Sequence, residues 1–226
     1  MHGSPACVHS FGVSIIYTLP LASVSFDTDE GLQPPRHRIH THMEIMISDS
    51  ASLRPLRSSD RDDLVTGIND WQVTRWLAGV PHPYRLDHAQ AYLARPEHAT
   101  WEIGMRDPEA RLALAVCIDD RLVGGISLVP AARRPGCREF GFWLARPAWG
   151  RRIMRGAVQA LIDAVAARVP RTAFVASANH DNQRSVRPIR SLGFEADGQD
   201  EIFSMPLQRH VAVNCFYLPH GRVCGD

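Results

Sequence analysis

Four arginines, Arg146, Arg151, Arg152 and Arg155, crowd the stretch around Pro147 and Gly150. Before them, Glu139-Phe-Gly-Phe-Trp-Leu144 is a run of aromatic and aliphatic residues with alternating bulk, suited to a buried strand. After them, Ile153, Val158, Leu161, Ile162, Val165 and Val169 recur at helical spacing. A strand, a tight turn and a helix in that order leave backbone N–H groups pointing outward at the helix start, where anions and above all phosphates are attracted. The arginines add fixed positive charge to the same turn. The chemistry this implies is the holding of a phosphorylated ligand. An ordinary βα unit with solvated arginines shares the pattern, because a Gly-containing βα turn is a weak motif by itself.

Two other groups of reactive side chains point to less. His37, His40 and His42 lie close together beside Pro34 and Pro35, which reads either as a metal-binding tract or as a solvated segment. No partner ligands at metal-site spacing follow, so no metal is expected. The five cysteines, Cys7, Cys117, Cys137, Cys215 and Cys224, are odd in number and form no C-x-x-C pair. They suit unpaired thiols in a reducing, cytoplasmic setting. Cys117 lies in an apolar run and reads as a small core residue.

The chain has 226 residues, 45% of them hydrophobic, and a formal net charge of +1. Those values fit one globular domain with extensions. The near-neutral charge argues against a dedicated nucleic-acid binder, and no apolar run is long enough to span a bilayer. Neither nucleic acid nor membrane is therefore expected as a partner. Residues 1–48 read as a disordered leader or an upstream extension foreign to the domain. Their moderately apolar run, Phe11 to Val24, lacks the preceding Lys or Arg of a secretory signal. The domain is expected over residues 49–220, with a short tail at 221–226.

The elements that must position the arginine-rich turn follow in order. Ser52 to Leu56 reads as a short strand ending at Pro55, and Ser58 to Asp63 supplies caps and first-turn acids for a helix carrying Leu64, Val65 and Ile68. A second helical piece covers Asn69 to Leu77. Asp87 is placed to cap a third helix, which Pro96 ends. Trp101 to Arg106 reads as loop or short strand. Leu112–Ile118 and Leu122–Val129 form an antiparallel hairpin around Asp119-Asp120. The strand and helix flanking the turn come next, then a strand at Thr172–Ala178 and a helix from Gln183 ending at Gly193. Two closing strands lie near Glu201–Met205 and Val211–Leu218. This order makes an α/β protein with a mixed sheet.

Four segments together resemble the GNAT superfamily of N-acetyltransferases, and most of all its branch of ribosomal-protein N-terminal acetyltransferases. They are Leu53-Arg54-Pro55-Leu56 with Asp60; Trp76-Leu77-Ala78-Gly79-Val80-Pro81-His82-Pro83-Tyr84; Phe140-Gly141-Phe142-Trp143-Leu144 with Trp149-Gly150; and Asn182, Ser185, Arg187 with Leu192-Gly193-Phe194. The ordered set, spanning Leu53 to Leu218, is specific where each segment alone is weak. The resemblance implies a single domain on a mostly antiparallel mixed sheet of about six or seven strands, with a splayed central pair and flanking helices. It implies acetyl-coenzyme A as donor, a primary amine as acceptor (a protein N-terminus or a small molecule), and a monomer or homodimer.

Carried onto this chain, the resemblance places the pantetheine at backbone groups near Trp143 and Leu144. It places the pyrophosphate on the turn of Trp149, Gly150, Arg151, Arg152, Ile153 and Met154, and it sets Asn182 and Ser185 at the pantetheine arm or its sulfur end. Acetyl transfer to an amine needs a base and a partner for the leaving thiolate. Glu139 is the leading base and Ser185 a proton donor, each with a purely structural alternative. Trp76, Tyr84 and Trp101 either wall the acceptor pocket or belong to the core. The sequence departs from the family pattern at Arg152, where relatives have a small residue, at Gly156, and at Pro188 inside the late helix. No tyrosine stands in that helix. Those departures motivate the alternative of a catalytically impaired GNAT-fold binding or regulatory module.

Overall fold

The computed structural model describes residues 43–95 and 101–220. The histidine tract, the Phe11–Val24 run and Pro96 lie outside the described residues. Among the described residues, eight strands form one sheet: β1 (Ile45–Met46), β2 (Ala51–Pro55), β3 (Leu112–Ile118), β4 (Arg121–Pro130), β5 (Cys137–Leu144), β6 (Ala173–Asn179), β7 (Glu195–Ser204) and β8 (Arg209–Leu218), in the order β1-β2-β3-β4-β5-β6-β8-β7. Every neighbouring pair is antiparallel except β5–β6, which is parallel. The count exceeds the expected six or seven, and β1, on the β2 edge, lies before the boundary expected at residue 49. No described helix is long and apolar enough to cross a membrane.

Among the described residues six α-helices cover the sheet: α1 (Arg61–Asn69), α2 (Trp71–Thr74), α3 (Leu86–Leu93), α4 (Trp101–Arg106), α5 (Ile153–Ala166) and α6 (Gln183–Ser191). Helices α4, α5 and α6 share the main core, in which Leu161, Val165, Phe140 and Phe216 are fully or almost fully buried. Each such side chain contributes roughly 2 kcal/mol through removal from water. Helices α1 to α3 close a second cluster of Leu64, Ile68, Ala115, Cys117 and Trp143. The indole of Trp143 lies so close beneath α1 and β4 that a Cβ on Gly67 would come within 2.8 Å of it, and one on Gly125 within 2.7 Å. Small residues there fix the ring on the α1 side of the sheet. Gly156 has a similar reason: an added Cβ would meet the Ile47 side chain at 2.6 Å.

The expected hairpin is present. Its turn residues, Asp119 (φ 49°) and Asp120 (φ 61°), both sit in the left-handed region that a two-residue hairpin loop demands. Two local readings are overturned. Trp101–Arg106 is helix α4 rather than loop or strand, because Trp101, Gly104 and Met105 on one side of that turn of helix are buried. Asp87 lies inside the first turn of α3 and does not cap it; the cap position is Arg85, whose N–H donates to His88 Nδ1.

Candidate active site

The parallel pairing of β5 with β6 covers Cys137–Phe140 against Ala173–Ala176 and then stops. Beyond that point β5 runs on to Leu144 and β6 to Asn179 without pairing, so the two strands part into a wedge. On its other side β5 remains paired with β4 as far as Leu144. Ala145 N–H donates to Val123 O (2.8 Å), so by alternation the backbone groups of Phe142 and Leu144 turn toward the wedge.

Two clefts open on this wedge. The larger, about 960 Å³, runs between the end of β5, the start of α5 and α6. At its floor, α5 begins after Arg152, which sits at φ 59° with no side-chain bond capping the first turn. The N–H groups of that turn are the helix-start donors read from the sequence. Arg152 and Arg155 line the cleft from this side, and Arg184 and Arg187, three residues apart on α6, line it from the other. Arg184 also stacks over the Trp149 ring at 4.9 Å, while the Trp149 indole N–H donates to Leu144 O (2.9 Å). A helix N-terminus ringed by guanidinium groups is a fit for pyrophosphate and phosphate oxygens.

The smaller cleft, about 70 Å³, lies between the wedge, the loop after α2 and strands β7 and β8. Trp76, Leu77, Phe142, Asn182 and Ser185 line both clefts and mark where they meet. Asn182 caps α6: its Oδ1 accepts from Ser185 N (3.3 Å), and its Nδ2 donates to Ser185 Oγ (2.9 Å). The hydroxyl hydrogen of Ser185 is left to turn toward the junction. Ser177, on β6, also lines the smaller cleft and donates to Glu139 Oε1 at 2.9 Å. Glu139 is 7% exposed, and burial pushes its pKa above the usual carboxylate range against the opposing effect of the Ser177 bond. A carboxylate held that way accepts protons more readily than an exposed one.

A family model described as an acetyltransferase (GNAT) domain matches residues 51–195. The chain belongs to the GNAT family. Solved acetyltransferase structures share its fold at low sequence identity. A probable acetyltransferase is 18% identical with a TM-score of 0.67, covering 78% of this chain and 97% of its own. The microcin C7 self-immunity acetyltransferase MccE, solved with acetyl-CoA and AMP, is 17% identical with a TM-score of 0.64, covering 79% and 97%. The ribosomal L7/L12 alpha-N-protein acetyltransferase RimL, solved with coenzyme A, is 20% identical with a TM-score of 0.64, covering 78% and 98%. No curated protein matches the chain in sequence.

In this GNAT domain the residues singled out from sequence do not all share one site. Trp143, Leu144, Trp149, Gly150, Arg152, Ile153, Met154, Asn182, Ser185 and Trp76 all line the larger cleft. Arg151 does not; it is exposed. Arg146 is also drawn off, by an ion pair with Asp70 at 2.7 Å. Glu139 reaches the smaller cleft only through Ser177. Tyr84 and Trp101 are buried in the core and line neither of the two clefts. Tyr84 is 1% exposed among Leu64, Ile68 and their neighbours, where burial raises its pKa, and Trp101 packs with Met105 and Leu112 under α4. His180 is exposed, with Nδ1 3.3 Å from Asn214 Oδ1, and lines neither cleft.

Sequence reasoning missed Arg184, Arg75, Ser177 and Ser204 as cleft residues, and it noted Arg187 only as part of the late-helix signature. The i, i+3 spacing of Arg184 and Arg187 on the polar side of α6 was the available signal. The arginines of the loop before β5 have partners instead of a ligand: Arg133 pairs with Asp200, and Arg134 pairs with Asp197 and stacks on Tyr217.

Left-handed backbone costs a residue with a side chain roughly 1–2 kcal/mol. Arg152→Gly is therefore expected to stabilise the turn by about 1 kcal/mol, read from the urea midpoint, and to preserve or tighten acetyl-coenzyme A binding measured by calorimetry. A large loss of affinity would identify the guanidinium itself as a phosphate ligand.

Proposed function

We propose that this protein is an acetyl-coenzyme A-dependent N-acetyltransferase that acetylates a primary amine by direct attack on the thioester. The observation that carries this reading is the meeting of the two clefts at Trp76, Leu77, Phe142, Asn182 and Ser185 inside the opened β5–β6 wedge. A basic cleft for a phosphorylated donor enters from one side, and a small polar cleft enters from the other. Much of the acceleration in such an arrangement comes from aligning the two reactants.

Arg155, Arg184 and Arg187, with the first turn of α5, would hold the phosphates of acetyl-coenzyme A. When bound, that co-substrate supplies the activated acetyl group and the leaving thiolate. The wedge-facing N–H of Phe142 is oriented toward the junction, where it would stabilise negative charge developing on the carbonyl oxygen. As the amine attacks, its proton passes to Ser177 Oγ while Ser177 passes its own proton to Glu139 Oε1, so one proton is transferred in all. The Ser185 hydroxyl, with its oxygen occupied by Asn182 Nδ2, is left to donate a hydrogen bond to the departing sulfur. The protein is placed in the cytoplasm, where the buried Cys117, Cys137 and Cys215 would stay reduced.

Acetyl-coenzyme A at about 100 times its Kd is expected to raise the melting temperature by roughly 5–10 °C. Thiol release with an amine panel then reports transfer. Binding without thiol release from any amine would favour the rival reading of a catalytically impaired module, which the absence of a tyrosine from α6 motivates.

A further inference from the structure

The lining of the smaller cleft has one charged side chain, Arg75, and no carboxylate. Arg75 stacks on the neighbouring Trp76 ring at 4.5 Å. Its Nε is buried, and among the described residues it has neither a hydrogen-bond partner nor an ion pair. Ser204 lines the same cleft, is 1% exposed, and its Oγ also lacks a partner. The two residues are brought together by Met205 N–H, which donates to Ala78 O at 2.7 Å and fastens the end of β7 to the loop carrying Arg75. Buried donors without partners are costly and rare; Arg75 as a whole is half-buried, and an anion in the cleft would satisfy its buried Nε–H while pairing with the guanidinium charge.

We propose that the acceptor is a small amine bearing an anionic group, carboxylate or phosphoryl, a few bonds from its nitrogen, and that Arg75 and Ser204 read that anion. The inference rests on the acetyltransferase reading of the same site. The amine end is directed to Ser177, behind which Glu139 waits to take its proton. The anionic end is directed to the opposite wall, at the Arg75 loop and β7. A volume of about 70 Å³ admits the amine and a handful of further heavy atoms. A polyamine or an aminoglycoside would bring several cations into a cleft whose one charged lining side chain is the Arg75 guanidinium, with no lining carboxylate to receive them.

The test compares thiol release from acetyl-coenzyme A with alanine, alaninamide, 2-aminoethyl phosphate, ethanolamine, an amidated peptide, spermidine and an aminoglycoside. Calorimetry of the same amines against coenzyme A-saturated protein runs alongside. The anionic member of each matched pair is expected to exceed its neutral partner by tenfold or more in kcat/KM and in affinity. Arg75→Gln is expected to erase that preference, and Arg75→Lys to keep part of it, while both variants bind acetyl-coenzyme A as the wild type does. The carboxylate and phosphoryl arms separate the two possible anions. Turnover that favours spermidine, the aminoglycoside or the amidated peptide would overturn the inference and leave the transferase reading standing. So would an anion preference that survives Arg75→Gln. Failure to bind acetyl-coenzyme A at all would overturn the transferase reading, and this inference with it.

Discussion

Glu139→Gln is expected to lower kcat by about two to four orders of magnitude, the span that a positioned general base contributes, while making the folded protein more stable at neutral pH. Both effects follow from one environment. The carboxyl is buried on β5, and burial raises its pKa above the ordinary range, only partly opposed by the Ser177 hydrogen bond. A carboxyl whose pKa is higher folded than unfolded binds more protons in the folded state. Its contribution to stability is therefore fully present below the unfolded pKa and is lost as pH rises through the folded value. Wherever the group is ionised, the wild type carries a desolvated carboxylate that glutamine does not, and the glutamine oxygen can still accept from Ser177. The same raised pKa sets the acid limb of kcat above the usual carboxylate range, and the substitution is expected to remove that limb. Stopped thiol-release assays across pH, with urea midpoints for both proteins, read all three effects. A kcat within threefold of wild type would show that the amine proton leaves by another route.

Asp60→Ala is expected to destabilise the domain by roughly 3–5 kcal/mol, the cost of stranding a buried charge. Arg54 and Asp60 form a bidentate pair, with Nη1 to Oδ2 at 2.9 Å and Nη2 to Oδ1 at 2.8 Å, and each side chain is only 4% exposed. Burial works against the charge on Arg54, but its surroundings, Asp60 foremost and Asp120 with it, together outweigh that effect, and its pKa is raised. Asp60 Oδ2 also accepts Arg57 N–H at 2.7 Å, and Arg54 Nε reaches Asp120 Oδ1 at 2.9 Å. The two ion pairs of Arg54 thus tie β2 to the start of α1 and to the turn of the β3–β4 hairpin. Removing Asp60 leaves the guanidinium with Asp120, which is largely exposed. The double change Arg54→Met with Asp60→Leu is expected to recover much of the loss, because well-packed apolar residues carry no desolvation cost. A urea midpoint for Asp60→Ala near that of wild type would mean that water reaches Arg54.

Apolar periodicity made most of this fold legible. The strands and helices from Leu112 to Gly193 sit close to where spacing, turn residues and caps put them, since each records a local preference that tertiary packing reinforces. Trp101–Arg106 escaped because one turn of helix is too short to show a period, and only its burial under β3 settles its state. Arg152 was legible as a departure from a small residue, and the φ of 59° supplies its energetic meaning.

Chain order and residue type sufficed for the family and for the basic turn at the head of α5, because helix starts, glycines and arginines act through their nearest neighbours. Pocket membership did not yield to such reading. Tyr84 and Trp101 resemble Trp76 in chemistry, yet packing sends two of the three into cores and one to the junction. Arg75, Ser177 and Ser204 come from segments far apart in the chain, and nothing local says that they share a cleft. That is settled where β5 and β6 stop pairing, since the separation of two strands is a property of the assembled sheet and of no single stretch of sequence.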